Sequence, residues 1–463
     1  MKKITFTIVL MLCLNFAKAQ NWDSVGCNGF WLGCGGGYSY SANCLMVYNG
    51  ALYVGGRIGS IGNLPINNIA KWNGSSWDSL PGVVPSCDQL EAMTVYNGKL
   101  IVGGDGIFRA GLMAIYNIAA WNDTTWSQIG TGISLRSYVR AMAVYNGNLY
   151  VAGSFDSAGG KPVNNIAMWN GTSWSPVGKG ISGNYSQGAA LCVYDNKLYV
   201  GGYFTSAGGN SAYDIATWDG SNWAVLPGVS NDTNSINSFI VYNGNLYAGG
   251  TFDSIGNIKA NNIAKWNGTS WTTVGSGVKG LMVNAFQNYG GNLYVGGTFD
   301  TAGGILVNNF AEWDGANWHY APGFTGVNDY NWESVLGLTV YKGYMFACGA
   351  FDTAGGVPTI DIAGSYGGGT GVNELKGESG EVKAYPNPSN GVFTLQANSY
   401  QPLANSSIEV YNVMGERVYS NYQITNTSNY QIDLSNQSNG VYLYRLISET
   451  GNLVSEGKIV IEK

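Results

Sequence analysis

The chain has 463 residues, a formal charge of −6 and 11% charged residues, less than half the usual share of about 25%. Glycine fills 69 positions and aromatic rings 13%, which is the composition of a folded, turn-rich protein rather than a disordered one. The acidic balance argues against a nucleic-acid surface. A single histidine excludes histidine-rich metal sites and leaves at most one Ser-His-Asp triad to be built, and no cofactor is implied.

Residues 1–19 read as a secretory signal peptide: Lys2 and Lys3, an apolar run from Ile4 to Phe16, then Ala17-Lys18-Ala19 as a small-x-small cleavage site. The run is too short for a membrane span, and no other stretch approaches 18 apolar residues. Cleavage removes three lysines, so the mature charge is −6 − 3 = −9. Sec export leads to an oxidising compartment. Cys27, Cys34, Cys44 and Cys87 crowd the start of the mature chain and are candidates for one or two local disulfides, with the connectivity open. Cys192 and Cys348 lie in apolar strand patterns and read as small buried hydrophobes.

From residue 20 the chain is a repeat. Trp72, Trp121, Trp169, Trp218, Trp266 and Trp313 are spaced by 49, 48, 49, 48 and 47, and a second Trp follows each by five residues. That period marks a repeat architecture. The unit from Ala143 to Gly178 divides into four short strands. The first two meet at Asn146-Gly147, a strong hairpin signal, and the last two at a second Asn-Gly, Asn170-Gly171. No segment has a 3.6-residue period, so almost no helix is expected. The first hairpin recurs at Leu52, Leu100, Leu149, Leu198, Leu246, Leu293 and Met345. The seventh copy lacks its fourth strand, which Trp22-Asp-Ser-Val-Gly26 can supply. The expectation is an all-β, seven-bladed β-propeller over residues 20–366, closed by an N-terminal velcro strand.

The small-Gly pair, Gly-Gly in most copies, that ends the second strand, with aromatics on the third and fourth at about 50 residues per repeat, resembles the Kelch and galactose-oxidase type of propeller. Trp-x4-Trp and the loop consensus F-D-[ST]-[AI]-G-[GN] depart from that family. The resemblance implies a fold and not a function. Galactose-oxidase chemistry needs copper with two His ligands, and this chain has only His319. The Gly-Gly pairs and Trp read as blade packing, glycine letting a bulky ring of a neighbouring blade approach the backbone.

Residues 367–383 have a linker composition, and residues 384–463 alternate apolar and polar in short runs that fit a small C-terminal β-sandwich. Pro386, Asn387, Pro388 and Gly391 in Tyr-Pro-Asn-Pro-Ser-Asn-Gly, Gly415 in Val-Tyr-Asn-Val-Met-Gly, Gly440 before Val-Tyr, and Lys458 near the end closely resemble the type A C-terminal sorting domain of the type IX secretion system. The resemblance implies recognition by the type IX machinery, passage through a gram-negative outer membrane, removal of the tail and attachment to surface lipopolysaccharide. The product would be secreted or displayed on the outer-membrane cell surface.

In this strand order both tight turns fall on one face of the ring and the long connections on the other, where binding residues concentrate. Asp156, Asp253, Asp300 and Asp352 recur in the long loops as either a carboxylate ring for calcium or sugar, or as turn caps; their repetition favours turns. Asn67, Asn164, Asn261 and Asn308 read as strand-entry hydrogen bonding. The inter-blade loops differ from one another and offer Arg136, Tyr138, Arg140, Tyr185, Phe324, Asp329, Tyr330, Trp332 and Glu333, residue types that suit a sugar face or a protein epitope. A binding or adhesion module for a glycan or protein is the favoured reading. The alternatives are an extracellular carbohydrate-active enzyme and a structural surface component. For the enzyme, Glu91, Glu312, Glu333, Asp88 and Asp329 are available, with no pair marked.

Overall fold

The computed structural model describes residues 22–25, 30–31, 41–365 and 382–463, apart from short loop stretches that include 85–88, 135–136 and 326–333. Every regular element in them is a strand. In the first repeat Ser41–Tyr48, Ala51–Arg57, Ile69–Trp72 and Trp77–Ser79 form one antiparallel sheet in chain order. The same order returns in Tyr138–Tyr145, Asn148–Ser154, Ile166–Trp169 and Trp174–Pro176.

Local chemistry sets each turn. Asn146 and Gly147 both take positive φ, +48° and +72°, the mirror-image turn whose twist matches the strands it joins. The turn between the third and fourth strands is built differently. Asn170 Oδ1 accepts the main-chain N–H groups of Thr172 and Ser173 at 2.9 and 2.8 Å, and Gly171 alone has positive φ. A side-chain cap, rather than a second primed hairpin, makes that corner. It brings Trp169 and Trp174 directly opposite each other, with ring centroids 5.4 Å apart and planes tilted by 50°. The five-residue Trp spacing is the sequence trace of this cross-strand pair.

Two sets of hydrogen bonds tie each sheet to the next. The last Tyr of each inner strand donates to a carbonyl in the following sheet's first turn: Tyr48 to Gly98, Tyr145 to Asn196, Tyr242 to Gly291 and Tyr289 to Gly343, at 2.8–3.1 Å. Tyr341 donates to Gly50 at 3.1 Å, so the last sheet joins the first. Near the other end, the indoles of Trp174, Trp223, Trp271 and Trp318 donate to the carbonyls of Ile129, Val177, Pro227 and Val274 in the sheet before. Trp22 makes the same bond to Pro322 at 3.0 Å, and Trp22–Ser24 pairs antiparallel with Ile362–Ser365. Trp77 in turn donates to Val25. The N-terminal strand thus stands where a fourth strand belongs.

The two positions of the small-Gly pair that ends each second strand serve separate contacts. A Cβ on Gly103 would meet the Val139 side chain of the next inner strand at 2.6 Å, so the first glycine admits the neighbouring sheet. A Cβ on Gly153 would lie 1.9 Å from the carbonyl oxygen of Tyr138, the first residue of its own inner strand. That second glycine faces a β-bulge, and the register slips by one residue between Val139 and Ala141.

Of the four disulfide candidates, only Cys44 lies among the described residues. It carries a free thiol, lodged against the Gly55 carbonyl at 3.6 Å, with burial pushing its ionisation well above the ordinary range. It stands just past the bulge at Asn43. Cys27, Cys34 and Cys87 lie outside the described residues. Cys192 and Cys348 are free thiols as well.

In the tail, Val382–Tyr385, Val392–Ala397 and Asn429–Asp433 form one antiparallel sheet, and Arg417–Ile424, Ser406–Asn412, Gly440–Ile447 and Leu453–Ile461 another. Phe393, Leu395, Ile408, Val410, Tyr444 and Ile459 share one buried core between them. Asn387 pins the entry segment to the last strand: its Nδ2 donates to the Lys458 carbonyl and its Oδ1 accepts the Val460 N–H.

Candidate functional site at the channel mouth

The bulges decide what lines the centre. Each inner strand carries one extra residue there, opposed by no partner: Asn43, Glu91, Arg140, Ala189, Asn237 and Leu336, each third in its strand, and Asn284, seventh in the longer strand Val278–Tyr289. A bulge re-aims its side chain. All but Asn284 line a central cavity of about 260 Å³ to which every one of these inner strands contributes. Two residues further along each strand, Leu45, Met93, Met142, Leu191, Phe239, Phe286 and Leu338 give the same cavity apolar walls. The bulges sit in the first half or at the middle of their strands, toward the side where the long connections enter.

The rim residues link to one another across the sheets. Asn237 Nδ2 donates to Asn284 Oδ1 at 3.3 Å, and Asn284 Nδ2 to Ser334 Oγ at 2.9 Å. Asn43 Nδ2 donates to the Leu90 carbonyl at 3.1 Å. On the opposite side Arg140 Nε meets Glu91 Oε2 at 3.1 Å, and Gln89 Nε2 donates to the other Glu91 oxygen at 2.7 Å. Burial pushes the Glu91 carboxyl above its ordinary value; Arg140 opposes the shift and Asp105 adds to it. Asp105 is raised too, again by burial with Arg140 opposing. A guanidinium flanked by two carboxylates is therefore part of the mouth. Glu91 was only one of several unmarked acids in the sequence, and the bulge that selects it leaves no composition signal.

The inter-blade residues separate into two groups. Tyr138 opens the inner strand that carries Arg140. Its hydroxyl donates to Gln187 Oε1 at 2.6 Å, and the Arg140 guanidinium lies 5.4 Å from its ring centroid. Tyr185 stands in the loop before the next inner strand, 93% exposed, at an unusual φ of +57° for an aromatic residue. Arg136, Asp329, Tyr330, Trp332 and Glu333 lie outside the described residues, as do Asp88 and Gly415. Glu312 is far from the mouth in its sheet, accepting the Tyr294 hydroxyl at 2.8 Å. His319 pairs with Asp314 on an exposed turn at 2.7 Å.

The recurrent loop residues bond to the main chain around them. Asp156, Asp253, Asp300 and Asp352 accept through their main-chain carbonyls from Val163, Ala260, Val307 and Thr359. In the Asn pairs it is the second member that is buried or nearly so: Asn165, Asn262 and Asn309 take φ of +60° to +62° and accept the N–H of Phe155, Phe252 and Phe299. The first members Asn164 and Asn261 donate to the carbonyls of Lys179 and Ser276.

Comparison with known proteins adds two family matches. Residues 113–283 match the Rax2 C-terminal beta propeller domain, and residues 383–462 match the secretion system C-terminal sorting domain. No curated protein matches the chain. Among solved structures, PorZ, an essential bacterial surface component of the type-IX secretion system of Porphyromonas gingivalis, is 16% identical with a TM-score of 0.41. The match covers 90% of this chain and 59% of PorZ, so the chain spans under two thirds of that protein. A GH74 enzyme of Niastella koreensis is 13% identical, covering 93% of this chain and 67% of the enzyme, at a TM-score of 0.41. A fungal alcohol oxidase of the AA5 family is 10% identical, covering 96% and 99%, at 0.40. Likeness at this level carries no argument about activity. The tail does: a sorting domain at residues 383–462 indicates export by type IX secretion and interaction with its machinery, behind an all-β passenger that includes a propeller match.

Proposed function

We propose that the chain is a passenger of type IX secretion whose seven-bladed propeller binds a glycan or protein ligand at the channel mouth. Sec export precedes type IX passage, the tail folds as a small β-sandwich, and the product is released or held at the cell surface through lipopolysaccharide. One observation carries the binding reading: the bulges aim a set of mostly polar side chains, Asn43, Glu91, Arg140, Asn237 and Asn284, toward the centre of the ring, where apolar residues line a shared cavity. Propeller stability does not require polar groups there, and concave sites with a few convergent polar groups over apolar walls are what ligands use. The test is a glycan and protein array probed with the mature chain and with its Arg140→Ala and Tyr138→Ala variants. A ligand bound by the parent and lost at least tenfold in both variants, with melting temperatures held, supports the reading. Binding that ignores both variants sinks it.

The Glu91–Arg140–Asp105 arrangement favours a second reading, a carbohydrate-active enzyme with Glu91 as proton donor. Release of reducing sugar by the parent and not by Glu91→Gln would establish it.

A further inference from the structure

On the reading that the mouth binds a ligand, we propose that this ligand is the end of an uncharged glycan, seated one sugar ring deep, with the chain leaving over Ala189 beside Tyr185.

Charge comes first. Glu91 and Arg140 are the charged residues lining the cavity, and they are spent on each other at 3.1 Å. With Asp105 also beside the guanidinium, no surplus positive charge is left to attract a uronate, sulfate or phosphate. The remaining polar groups are amides and the Ser238 hydroxyl. Asn43 and Asn237 line the cavity and Asn284 extends the same rim; beyond the bonds each makes with its neighbours, each amide keeps a second N–H and a second lone pair. A sugar hydroxyl is likewise donor and acceptor at one atom, so amides, a carboxylate and a guanidinium fork match a polyol better than a single-sign ligand. The walls complete the match, because Met93, Met142, Phe239 and Phe286 present apolar surface to the C–H face of a ring.

Size fixes the depth. About 260 Å³ lies just below the range of roughly 300–1,000 Å³ that holds drug-sized ligands, which leaves room for one ring and not for a chain crossing the mouth. A longer glycan must therefore enter by its end and leave through a gap. Ala189 has the smallest side chain of the seven bulge residues, and its neighbours in the ring are Arg140 and Asn237. Tyr185 precedes Ala189 by four residues on the same segment and holds its ring out to solvent. The adjoining Ser186 is fixed by a 2.8 Å bond from Asn165. An anchored loop with an exposed ring near the smallest of these side chains is a stacking platform for the second sugar.

The test uses the mature full-length chain and an array of neutral oligosaccharides, the same chains blocked at either end, uronate and sulfated chains, and peptides. The tightest neutral chain is then titrated by calorimetry against Asn237→Ala, Tyr185→Ala and Ala189→Trp, with melting temperatures as the fold control. We expect neutral chains to bind, blocking of one end to cost at least tenfold, and Asn237→Ala to weaken every length. Tyr185→Ala and Ala189→Trp should weaken oligosaccharides and leave the corresponding monosaccharide unchanged. An array with no neutral glycan bound, a preference for anionic chains or peptides, or indifference to both blocked ends overturns the inference. If such a ligand is still weakened by Asn237→Ala, the mouth stands and only the glycan-end assignment falls; if none of the mouth variants matters, the binding site itself is elsewhere.

Discussion

The hydroxyl of Tyr341 donates to the carbonyl of Gly50, 3.1 Å away across 291 residues of chain. It repeats a contact made between successive sheets, such as Tyr48 to Gly98, and so the ring closes through the same bond that propagates it. Near the other end of the sheets Trp22 closes it again through Pro322. Closure is thus held at both ends of the seam.

Trp22→Ala should therefore unfold the ring as a whole. Its indole is 3% exposed and packs edge-on to Phe310 at 5.6 Å, besides making the Pro322 bond. Deletion of a large buried aromatic costs about 3–5 kcal/mol. A single cooperative thermal transition, shifted down, is expected. A melt equal to that of the parent would show the N-terminal strand to be dispensable.

Among the paired indoles, Trp174→Ala should cost about 3–5 kcal/mol and Trp169→Ala less. Trp174 is 2% exposed and donates to Ile129, whereas Trp169 is only partly buried. Urea unfolding of the two variants side by side reads the difference, and the reverse order contradicts this account of the pair.

Gly153→Ala should be worse than Gly147→Ala. The added Cβ at 153 meets the Tyr138 carbonyl oxygen at 1.9 Å, backbone that cannot step aside without flattening the bulge. At Gly147 nothing lies within 4 Å, and only the positive φ is strained, at about 1–2 kcal/mol. Because the bulge aims Arg140, Gly153→Ala should also weaken mouth binding; Gly147→Ala should leave it alone.

Asp361→Asn should stabilise the protein at pH 7 and do little at pH 4. Asp361 is buried at φ +60°, in the place that Asn165, Asn262 and Asn309 hold elsewhere. Burial raises its carboxyl well above the ordinary range, with Asp352 adding to the shift and the Phe351 N–H opposing it. A raised folded-state value means the native protein holds the proton more tightly than the unfolded chain. Stability associated with it is then complete below the unfolded value and declines as pH rises toward the folded one. Asparagine removes the titration while keeping the acceptor for the Phe351 N–H. Melting temperatures from pH 4 to 8 should diverge upward for the variant, and parallel curves would refute the buried-acid account.

Deleting residues 384–463 should leave the passenger folded and unexported beyond the periplasm, because its core contacts are made without the tail's. Fractionation of cells carrying the truncated gene checks it; normal surface levels would refute the sorting role.

The Trp spacing, the Asn-Gly turns and Trp22-Asp-Ser made the repeat legible in the sequence, since each is a local pattern that every copy must satisfy. The mouth was less so. Arg140 and Tyr138 stood out through residue type, but Glu91 was lost among other acids because its selection depends on a one-residue slip between Leu90 and Ala92. The trace of that slip was present in the second glycine of each Gly-Gly pair, which a blade-packing reading absorbed whole.

The pairing of Trp22–Ser24 with Ile362–Ser365 also sets an order of events. The first strand of the ring to be synthesised waits for a partner 365 − 22 = 343 residues later. At about 5–20 residues per second that delay is roughly 20–70 s. Throughout it an unpaired strand edge and the Trp22 indole stay open to other chains, an exposure that only the late pairing ends. The partner strand arrives just ahead of the sorting tail. Closing the ring and presenting the export signal are consecutive steps of one delivery, so a passenger cut short before Ile362 has neither a finished ring nor an address.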